Sequence, residues 1–143
     1  MRLWHKDLIP VLPRQQLLSQ WRECCCIARN IAVNGTPNHL LVNKVLDYPL
    51  AHFVAYTELV EKEMTNRGYK IDANKFNGWM AATNYIPQNI SYTDIFSNWH
   101  NNRYFIQCYA NLSEKFDCGG IPLTEWERID YLFHKRQDPF IAN

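Results

Sequence analysis

Two groups near the beginning of the chain could together perform covalent chemistry: the carboxylate of Glu23 and the α-amine of Met1. An α-amine in a model peptide titrates at about pH 7.7–8.0, so a useful fraction of it is an unprotonated nucleophile at neutral pH. Such an amine can form an imine with a sugar aldehyde, and a nearby carboxylate can move protons or stabilise positive charge on the sugar. The sequence therefore predicts Schiff-base chemistry if residues 1–13 fold back towards Glu23.

Basic and amide side chains accompany this pair. Residues 1–50 contain six Lys and Arg against three Asp and Glu, although the whole chain has a net charge of only +1. Arg22 adjoins Glu23 and is expected to act with it. The residues expected to contact phosphates or bases are Arg2, His5, Lys6, Arg14, Gln15, Gln16 and Arg29. The basic excess is typical of a surface that faces phosphate groups, and an ordinary mixed surface would give it equally well.

Several of these residues have a simpler interpretation. Glu23 is equally well explained, on its own, by a surface ion pair with Arg22 or with a neighbour on its helix. His5 could be an acid–base group beside the amine or a partly exposed residue of the arm. Lys6 could itself supply the Schiff-base amine, although nothing in the sequence obviously lowers its pKa.

The elements that must position Glu23 are an N-terminal arm and a long helix. Pro10 and Pro13 rule out a continuous helix over residues 3–13, which predicts an extended arm with a turn. Pro13 suits the start of a helix over residues 14–30, where apolar side chains recur at helical spacing. Arg22 and Glu23 then lie at the boundary of one polar face of that helix.

The rest of the chain also has helical patterns. Helices are predicted over residues 38–46, 50–66 and 74–82, from Ser91 or Thr93 to about Lys115, and from Thr124, which has capping-box spacing to Glu127. The tail, residues 137–143, is expected to be irregular. No segment alternates polar and apolar residues as a strand does. The sequence therefore predicts one compact all-α domain over residues 1–143: a bundle of about three long helices plus short ones, with an extended N-terminal arm.

The cysteines and the apolar segments indicate the cellular environment. The five cysteines, three of them consecutive from Cys24 to Cys26, are expected to be reduced, mostly buried thiols of a cytoplasmic protein. Because consecutive helical residues point about 100° apart, these three cannot close on one metal ion, and no metal site is expected. No apolar run is long enough to span a bilayer, and the N-terminus lacks the apolar core of a signal peptide.

The arm and the first helix also resemble a known family. The similarity is carried by Met1-Arg-Leu-Trp-His5, Leu8-Ile-Pro10, Leu12-Pro-Arg-Gln15, Leu17-Leu18 and Arg22-Glu23-Cys24, and it resumes in Leu59-Val-Glu-Lys-Glu-Met-Thr-Asn-Arg-Gly-Tyr69. A weaker likeness runs through His100-Asn-Asn-Arg-Tyr-Phe105 and Asn111-Leu-Ser-Glu-Lys115. These segments resemble the pyrimidine-dimer DNA glycosylases of the phage endonuclease V type, and especially a bacterial branch of that family.

This resemblance implies a monomeric all-α DNA-repair glycosylase with apurinic/apyrimidinic (AP) lyase activity that needs no metal or cofactor. Its expected partner is double-stranded DNA containing a damaged base or an abasic site, from which a nucleotide is flipped out of the duplex. The N-terminal α-amine, here that of Met1, attacks the sugar C1′ and forms an imine. The glutamate that matches Glu23 assists imine formation and the β-elimination that nicks the strand, while arginines around it hold DNA phosphates.

Three positions depart from the family pattern. Arg2 is so large that Met1 should be retained, which makes the terminus one residue longer. Cys26 stands where a basic residue often follows the glutamate, and Arg29 is its candidate replacement. Trp21 stands where the bacterial branch often has His, and it is expected to pack in the core. Two alternatives stay open: a non-catalytic nucleic-acid-binding domain on the same fold, and a helical protein–protein adaptor suggested by the 14% aromatic content.

Overall fold

The computed structural model describes residues 1–137, and all regular structure in that part of the chain is helical. The α-helices are α1 (Arg14–Asn34), α2 (Leu50–Asn66), α3 (Asn74–Ala82), α4 (Asn102–Asp117) and α5 (Leu123–Gln137). Short 3-10 helices span Lys6–Val11, Val42–Asp47 and Tyr92–Asp94. The predicted all-α fold is confirmed, and the predicted bounds of α2 and α3 agree with the structure. The helix predicted over residues 38–46 is instead the short 3-10 helix Val42–Asp47.

Helix α1 presents the polar face on which the predicted chemistry depends. It begins at Arg14 as predicted and continues to Asn34, beyond the predicted end at residue 30. It stops at Gly35, whose φ of 75° is left-handed and whose N–H donates to the Ile31 carbonyl. An exposed stripe runs along the helix through Gln15, Ser19, Arg22, Cys26 and Arg29. The buried side consists of Leu17, Gln20, Cys24, Ile27, Ala28 and Ile31.

The arm packs onto the rest of the fold. Residues 1–5 have no regular secondary structure, and the predicted turn is the 3-10 helix Lys6–Val11, which contains Pro10. At its start the Asp7 N–H donates to His5 Nδ1 at 3.0 Å. At its end Arg67, which follows α2, donates to the carbonyls of Leu12 at 2.8 Å and Pro10 at 3.2 Å. The first of these bonds is local to the arm, whereas the bonds from Arg67 attach the end of its turn to the segment after α2.

The helix predicted from Ser91 or Thr93 is wrong over its first part, because α4 begins only at Asn102. Residues 95–101 form turns, and two of their backbone N–H groups donate to side chains that precede or begin α2. The Phe96 N–H donates to His52 Nδ1 at 3.2 Å, and the Trp99 N–H donates to the Tyr48 hydroxyl at 3.0 Å. The Trp99 N–H is shared, because it also donates to the Phe96 carbonyl at 2.9 Å. Phe96 also has a left-handed φ of 48°, which a continuous helix does not allow.

The starts of α4 and α5 depend on caps other than those predicted. The side chain of Asn101 caps α4 by accepting from the Tyr104 N–H at 2.9 Å. Helix α5 begins at Leu123, so Thr124 lies inside it and the predicted capping box with Glu127 does not form its N-cap. Of the tail predicted to be irregular, Gln137 is helical and residues 138–143 lie outside the described part.

Helices α1, α2 and α3 pack together, and α4 and α5 form a second pair. Helix α1 contacts α2 and α3, α4 contacts α5, and the 3-10 helix Lys6–Val11 contacts both α2 and α5. Trp21 is half-buried at the α1–α3 interface, with its ring centroid 6.2 Å from that of Phe76. None of the helices within residues 1–137 combines the length and the apolar character needed to cross a bilayer.

All five cysteines have free thiols. Cys24 and Cys108 are buried and Cys25 is half-buried, as the sequence predicts for most of them. The prediction is wrong for Cys26 and Cys118, which are exposed. Cys26 lies on the exposed stripe of α1.

Candidate active site

The backbone of the arm is held in a groove by side chains of the helices. Gln20 of α1 uses both ends of its amide: Nε2 donates to the Arg2 carbonyl at 3.0 Å, and Oε1 accepts from the Trp4 N–H at 2.8 Å. Tyr56 of α2 donates to the Trp4 carbonyl at 2.6 Å. Its hydroxyl also lies 3.1 Å from Gln20 Oε1, which links the two helices to the same segment of the arm.

A third helix completes this attachment. Tyr104 of α4 donates to the Leu3 carbonyl at 2.6 Å. Burial raises the pKa of both Tyr56 and Tyr104, so both phenols stay protonated and act as donors at neutral pH. Because Gln20 is fully buried, its amide has no alternative partner in water. Residues 2–4 therefore have one position relative to α1, α2 and α4.

Glu23 lies one turn beyond Gln20 and faces the arm. Its Oε2 accepts from the Arg2 N–H at 3.4 Å and from Gln20 Nε2, also at 3.4 Å. Within residues 1–137 the carboxylate forms no ion pair, so the surface ion pair with Arg22 is not what orients it. The half-buried carboxylate is instead directed at the first peptide bond of the chain.

The α-amine of Met1 lies close to this carboxylate. Standard bond lengths and angles put the nitrogens of adjacent residues at most about 3.7 Å apart. Adding the 3.4 Å between Arg2 N and Glu23 Oε2 places the amine within about 7 Å of that oxygen. Met1 as a residue is 46% exposed. A reacting carbon can fit between a nucleophile and a carboxylate at this separation.

The predicted contacts on α1 lie on its outer surface. Arg22 and Arg29 are exposed in the same stripe as Gln15, so these three side chains can reach one ligand along α1. Gln16 is half-buried, and its Oε1 is buried with no hydrogen-bond partner in the described part of the chain. Gln16 lies on the arm side of α1, one turn before Gln20.

Arg2 and Arg14 are each engaged with the protein itself. The Arg2 guanidinium lies 5.3 Å from the Trp4 ring centroid, and its Nη1 is 3.7 Å from Cys108 Sγ. Arg14 donates through Nε to the Tyr69 hydroxyl at 2.9 Å. The backbone N–H of Arg2 lies close to the Glu23 carboxylate, whereas Arg14 is the first residue of α1.

His5 and Lys6 do not join the exposed set, contrary to the sequence expectation. Lys6 is buried, and its amine donates to three backbone carbonyls, those of Tyr92, Thr93 and Ile95. Burial lowers the pKa of Lys6, and it lowers that of His5 to about 4. Both residues are buried in this conformation, and the DNA contacts predicted for them stay a prediction.

The N-terminal half of the chain matches a known protein family. Residues 1–77, more than half of the 143, match the model of a family described as pyrimidine dimer DNA glycosylase. The chain belongs to the pyrimidine dimer DNA glycosylase family. No curated protein and no solved structure matches the chain. The family resemblance expected from the sequence is thus confirmed, and the match includes the arm, α1 and α2.

A cavity of about 650 Å³ lies beside α1 in this glycosylase-family chain, and basic side chains line it near Cys26. Cys26 and Arg29 line it from α1, and Lys75 and Trp79 line it from α3. Lys75 is exposed. Two basic side chains, Arg29 and Lys75, therefore line the same cavity as Cys26, and the replacement of the missing basic residue by Arg29 stays a prediction.

The residues that hold the arm were the ones that sequence reasoning missed. The sequence does not predict that Gln20, Tyr56 and Tyr104 bind the backbone of the arm. One signal was available: Gln20 and Glu23 are three residues apart, so they share a helix face. The tyrosines carry no such local signal, because their partners lie in a different part of the sequence.

Proposed function

We propose that this protein is a DNA-repair glycosylase with AP-lyase activity. It acts as a monomer on double-stranded DNA that contains a pyrimidine dimer, another damaged base or an abasic site. The observation that carries the proposal is the position of the arm, which holds the beginning of the chain beside Glu23. Membership of the pyrimidine dimer DNA glycosylase family supports the same substrate class.

In the proposed reaction the Met1 α-amine attacks C1′ of a flipped nucleotide. A bond forms between the amine nitrogen and C1′, the glycosidic bond breaks, and the base leaves. The C1′–O4′ bond then opens as the nitrogen forms an imine with C1′, and the amine proton passes to O4′. Glu23 stabilises the positive charge that develops on the sugar and accepts protons from the amine.

Strand cleavage follows from the same imine. Glu23 removes a proton from C2′, and the electron pair eliminates the 3′ phosphate as the C3′–O3′ bond breaks. Water then hydrolyses the imine and restores the amine. Arg22 and Arg29 bind phosphates on either side of the flipped nucleotide, together with Gln15 near the start of α1. Such phosphate contacts fix the register of DNA on a protein.

The position of Arg2 bears on which nitrogen reacts. While Met1 is present, Arg2 N is an amide and is not nucleophilic. Removal of Met1 would turn this nitrogen into an α-amine already 3.4 Å from Glu23 Oε2. We propose the Met1 amine as the nucleophile, since a residue as large as Arg2 disfavours removal of Met1. The mass of the trapped N-terminal peptide shows whether Met1 is present, and therefore whether the amine of Met1 or of Arg2 reacted.

Borohydride trapping on a duplex with one abasic site tests the proposal. Wild-type protein should form a covalent adduct and nick the strand, whereas protein with an acetylated terminus should do neither. Glu23→Gln should slow both steps by about 100-fold or more, the usual contribution of an acid–base group. Glu127→Gln, an exposed position on α5, is the matched control and should behave as wild type.

Two further outcomes define the alternatives. A duplex with a pyrimidine dimer in place of the abasic site is nicked only if the protein also removes the base, so it separates glycosylase from lyase activity. If unblocked wild-type protein binds the abasic duplex without any adduct, the lyase proposal is refuted. The chain would then be a non-catalytic nucleic-acid-binding domain.

A further inference from the structure

A second polar cavity lies at the N-terminus of α4, and most of its lining residues lie outside the residues that match the family. Its volume is about 370 Å³. Asn98, Trp99, Arg103 and Gln107 line it from α4 and the turn before it, and Lys44 lines it from the 3-10 helix Val42–Asp47. The lining contains two cations, several amide groups and no carboxylate. Such a composition favours an anionic ligand.

Trp99 supplies a buried donor that has no hydrogen-bond partner in the described part of the chain. Its side chain is packed, with 6% of the residue exposed, and its indole Nε1–H has no acceptor within residues 1–137. The ring is held by neighbours, with centroids 5.0 Å from Phe96 and 4.8 Å from His100. It cannot easily turn to find another partner. A buried donor without an acceptor costs about 1–3 kcal/mol, and a bound ligand that accepts from it would remove this cost.

The backbone adds positive potential at the same place. Helix α4 has 16 residues, and Asn101 caps it by satisfying only the Tyr104 N–H. Among the described residues, the first-turn N–H groups of Asn102 and Arg103 have no acceptor. The N-terminal end of a helix carries a partial positive charge, and its free N–H groups bind phosphate.

The cavity adjoins the candidate active site through one residue. Tyr104 lines the cavity, and its hydroxyl holds the Leu3 carbonyl at 2.6 Å. Leu3 follows Arg2, whose N–H meets Glu23. Tyr104 therefore borders both this cavity and the segment of the arm that carries the Met1 amine.

We propose that this cavity binds a backbone phosphate of the DNA near the flipped nucleotide. Lys44 and Arg103 neutralise the phosphate charge, and the Trp99 indole N–H and the α4 N-terminus donate hydrogen bonds to its oxygens. This inference rests on the proposed DNA substrate and extends the contact surface from α1 to α4. It also explains why an unpaired indole donor is retained in an otherwise well-packed aromatic cluster.

Salt dependence of binding to an undamaged duplex tests the proposal. The logarithm of the affinity falls with the logarithm of salt concentration by about 0.9 for each phosphate neutralised. Lys44→Gln/Arg103→Gln should lower this slope by about 1 and weaken binding roughly eightfold at 0.1 M salt. The control Lys62→Gln/Lys115→Gln removes two exposed lysines elsewhere and should keep the wild-type slope. Equal slopes for the two double variants would overturn the proposal.

The indole N–H gives a direct readout of the cavity. In a proton–nitrogen NMR spectrum the Trp99 indole signal is identified by its loss in Trp99→Phe, which keeps an aromatic ring. It should shift when the duplex is added and should not shift in Lys44→Gln/Arg103→Gln. A signal that responds to inorganic phosphate but not to the duplex, or that responds to neither, would refute a DNA-phosphate site.

These measurements separate this proposal from the proposed function. They use undamaged DNA and binding alone, so a protein without lyase activity can still confirm the phosphate site. Conversely, Lys44→Gln/Arg103→Gln leaves Met1 and Glu23 intact and should still give the trapped adduct at saturating abasic DNA. An adduct with an unchanged salt slope would refute the phosphate site and leave the lyase intact.

Discussion

Acidification from pH 7.5 to pH 5 should destabilise the fold by about 4 kcal/mol, because two buried histidines must stay neutral in the folded state. His5 and His100 are 1% and 5% exposed, and their rings stack with centroids 5.1 Å apart. The Nδ1 of each accepts a backbone N–H at 3.0 Å, from Asp7 and from Lys6 respectively. Each ring is therefore neutral, with its proton on Nε2.

The magnitude follows from the pKa values. Burial lowers the pKa of His5 to about 4, with Asp7 opposing and Arg136 and Lys6 adding to the effect. Burial, with smaller contributions from His5 and Lys6, lowers that of His100 to about 2. Below the unfolded value of about 6.5 the unfolded chain binds more protons than the folded chain, so stability falls as pH falls. At pH 5 each histidine contributes about 2 kcal/mol to this loss.

Urea unfolding at pH 7.5 and pH 5, with linear extrapolation to water, measures the difference. Carboxylates contribute little in this window, since they titrate below it. The variant His134→Gln changes a histidine that is 69% exposed and should leave the difference unchanged. A loss smaller than about 1 kcal/mol at pH 5 would refute the reasoning, because either buried histidine alone should exceed it.

Three further predictions concern single contacts. Tyr56→Phe loses the bond to the Trp4 carbonyl and should lower the free energy of unfolding by about 1–3 kcal/mol in urea titrations. An unchanged value would show that this bond does not hold the arm. Glu23→Gln should change stability by less than about 1 kcal/mol, since the carboxylate forms no ion pair within residues 1–137, yet slow strand nicking by about 100-fold or more in a gel assay. Equal rates for variant and wild type would exclude a catalytic role. Asn101→Ala removes the α4 cap and should lower the melting temperature, at a cost of about 1 kcal/mol, whereas Asn98→Ala is the neighbouring control.

Local sequence patterns were enough to place Glu23. Pro13 and the helical spacing of Leu17 and its apolar neighbours determine where α1 begins and which side is buried. This placed Glu23 at the edge of the polar face and predicted a helix of about the right length. Its end was predicted too early, because the helix continues to Asn34 and stops only at Gly35, which has a left-handed φ.

Contacts between distant segments could not be predicted in this way. The N–H groups of Phe96 and Trp99 bond to His52 and Tyr48, and this competition prevents a helix that local propensity favours. Lys6 looks like an ordinary basic residue in the sequence, but carbonyls some 90 positions away surround its amine. A side chain that donates to backbone groups of a distant segment produces no periodic pattern in the sequence.

The same limit applies to the attachment of the arm. The sequence indicated that residues 1–13 had to fold back for Glu23 to act, but not how. The answer involves Gln20 and Tyr104, which lie on different helices and contact adjacent carbonyls of the arm. Only the three-dimensional arrangement brings these two side chains to the same short segment.

The most direct test of the account is to locate the trapped adduct on the protein by mass spectrometry. After borohydride reduction on abasic DNA and digestion, the sugar remnant should be found on the α-amine of the N-terminal peptide, and the peptide mass should show that Met1 is present. A remnant on the α-amine of Arg2 would move the reaction to the processed terminus. A remnant on the ε-amine of Lys6 or another lysine, or on no peptide at all, would contradict the central claim that the docked amino terminus is the nucleophile.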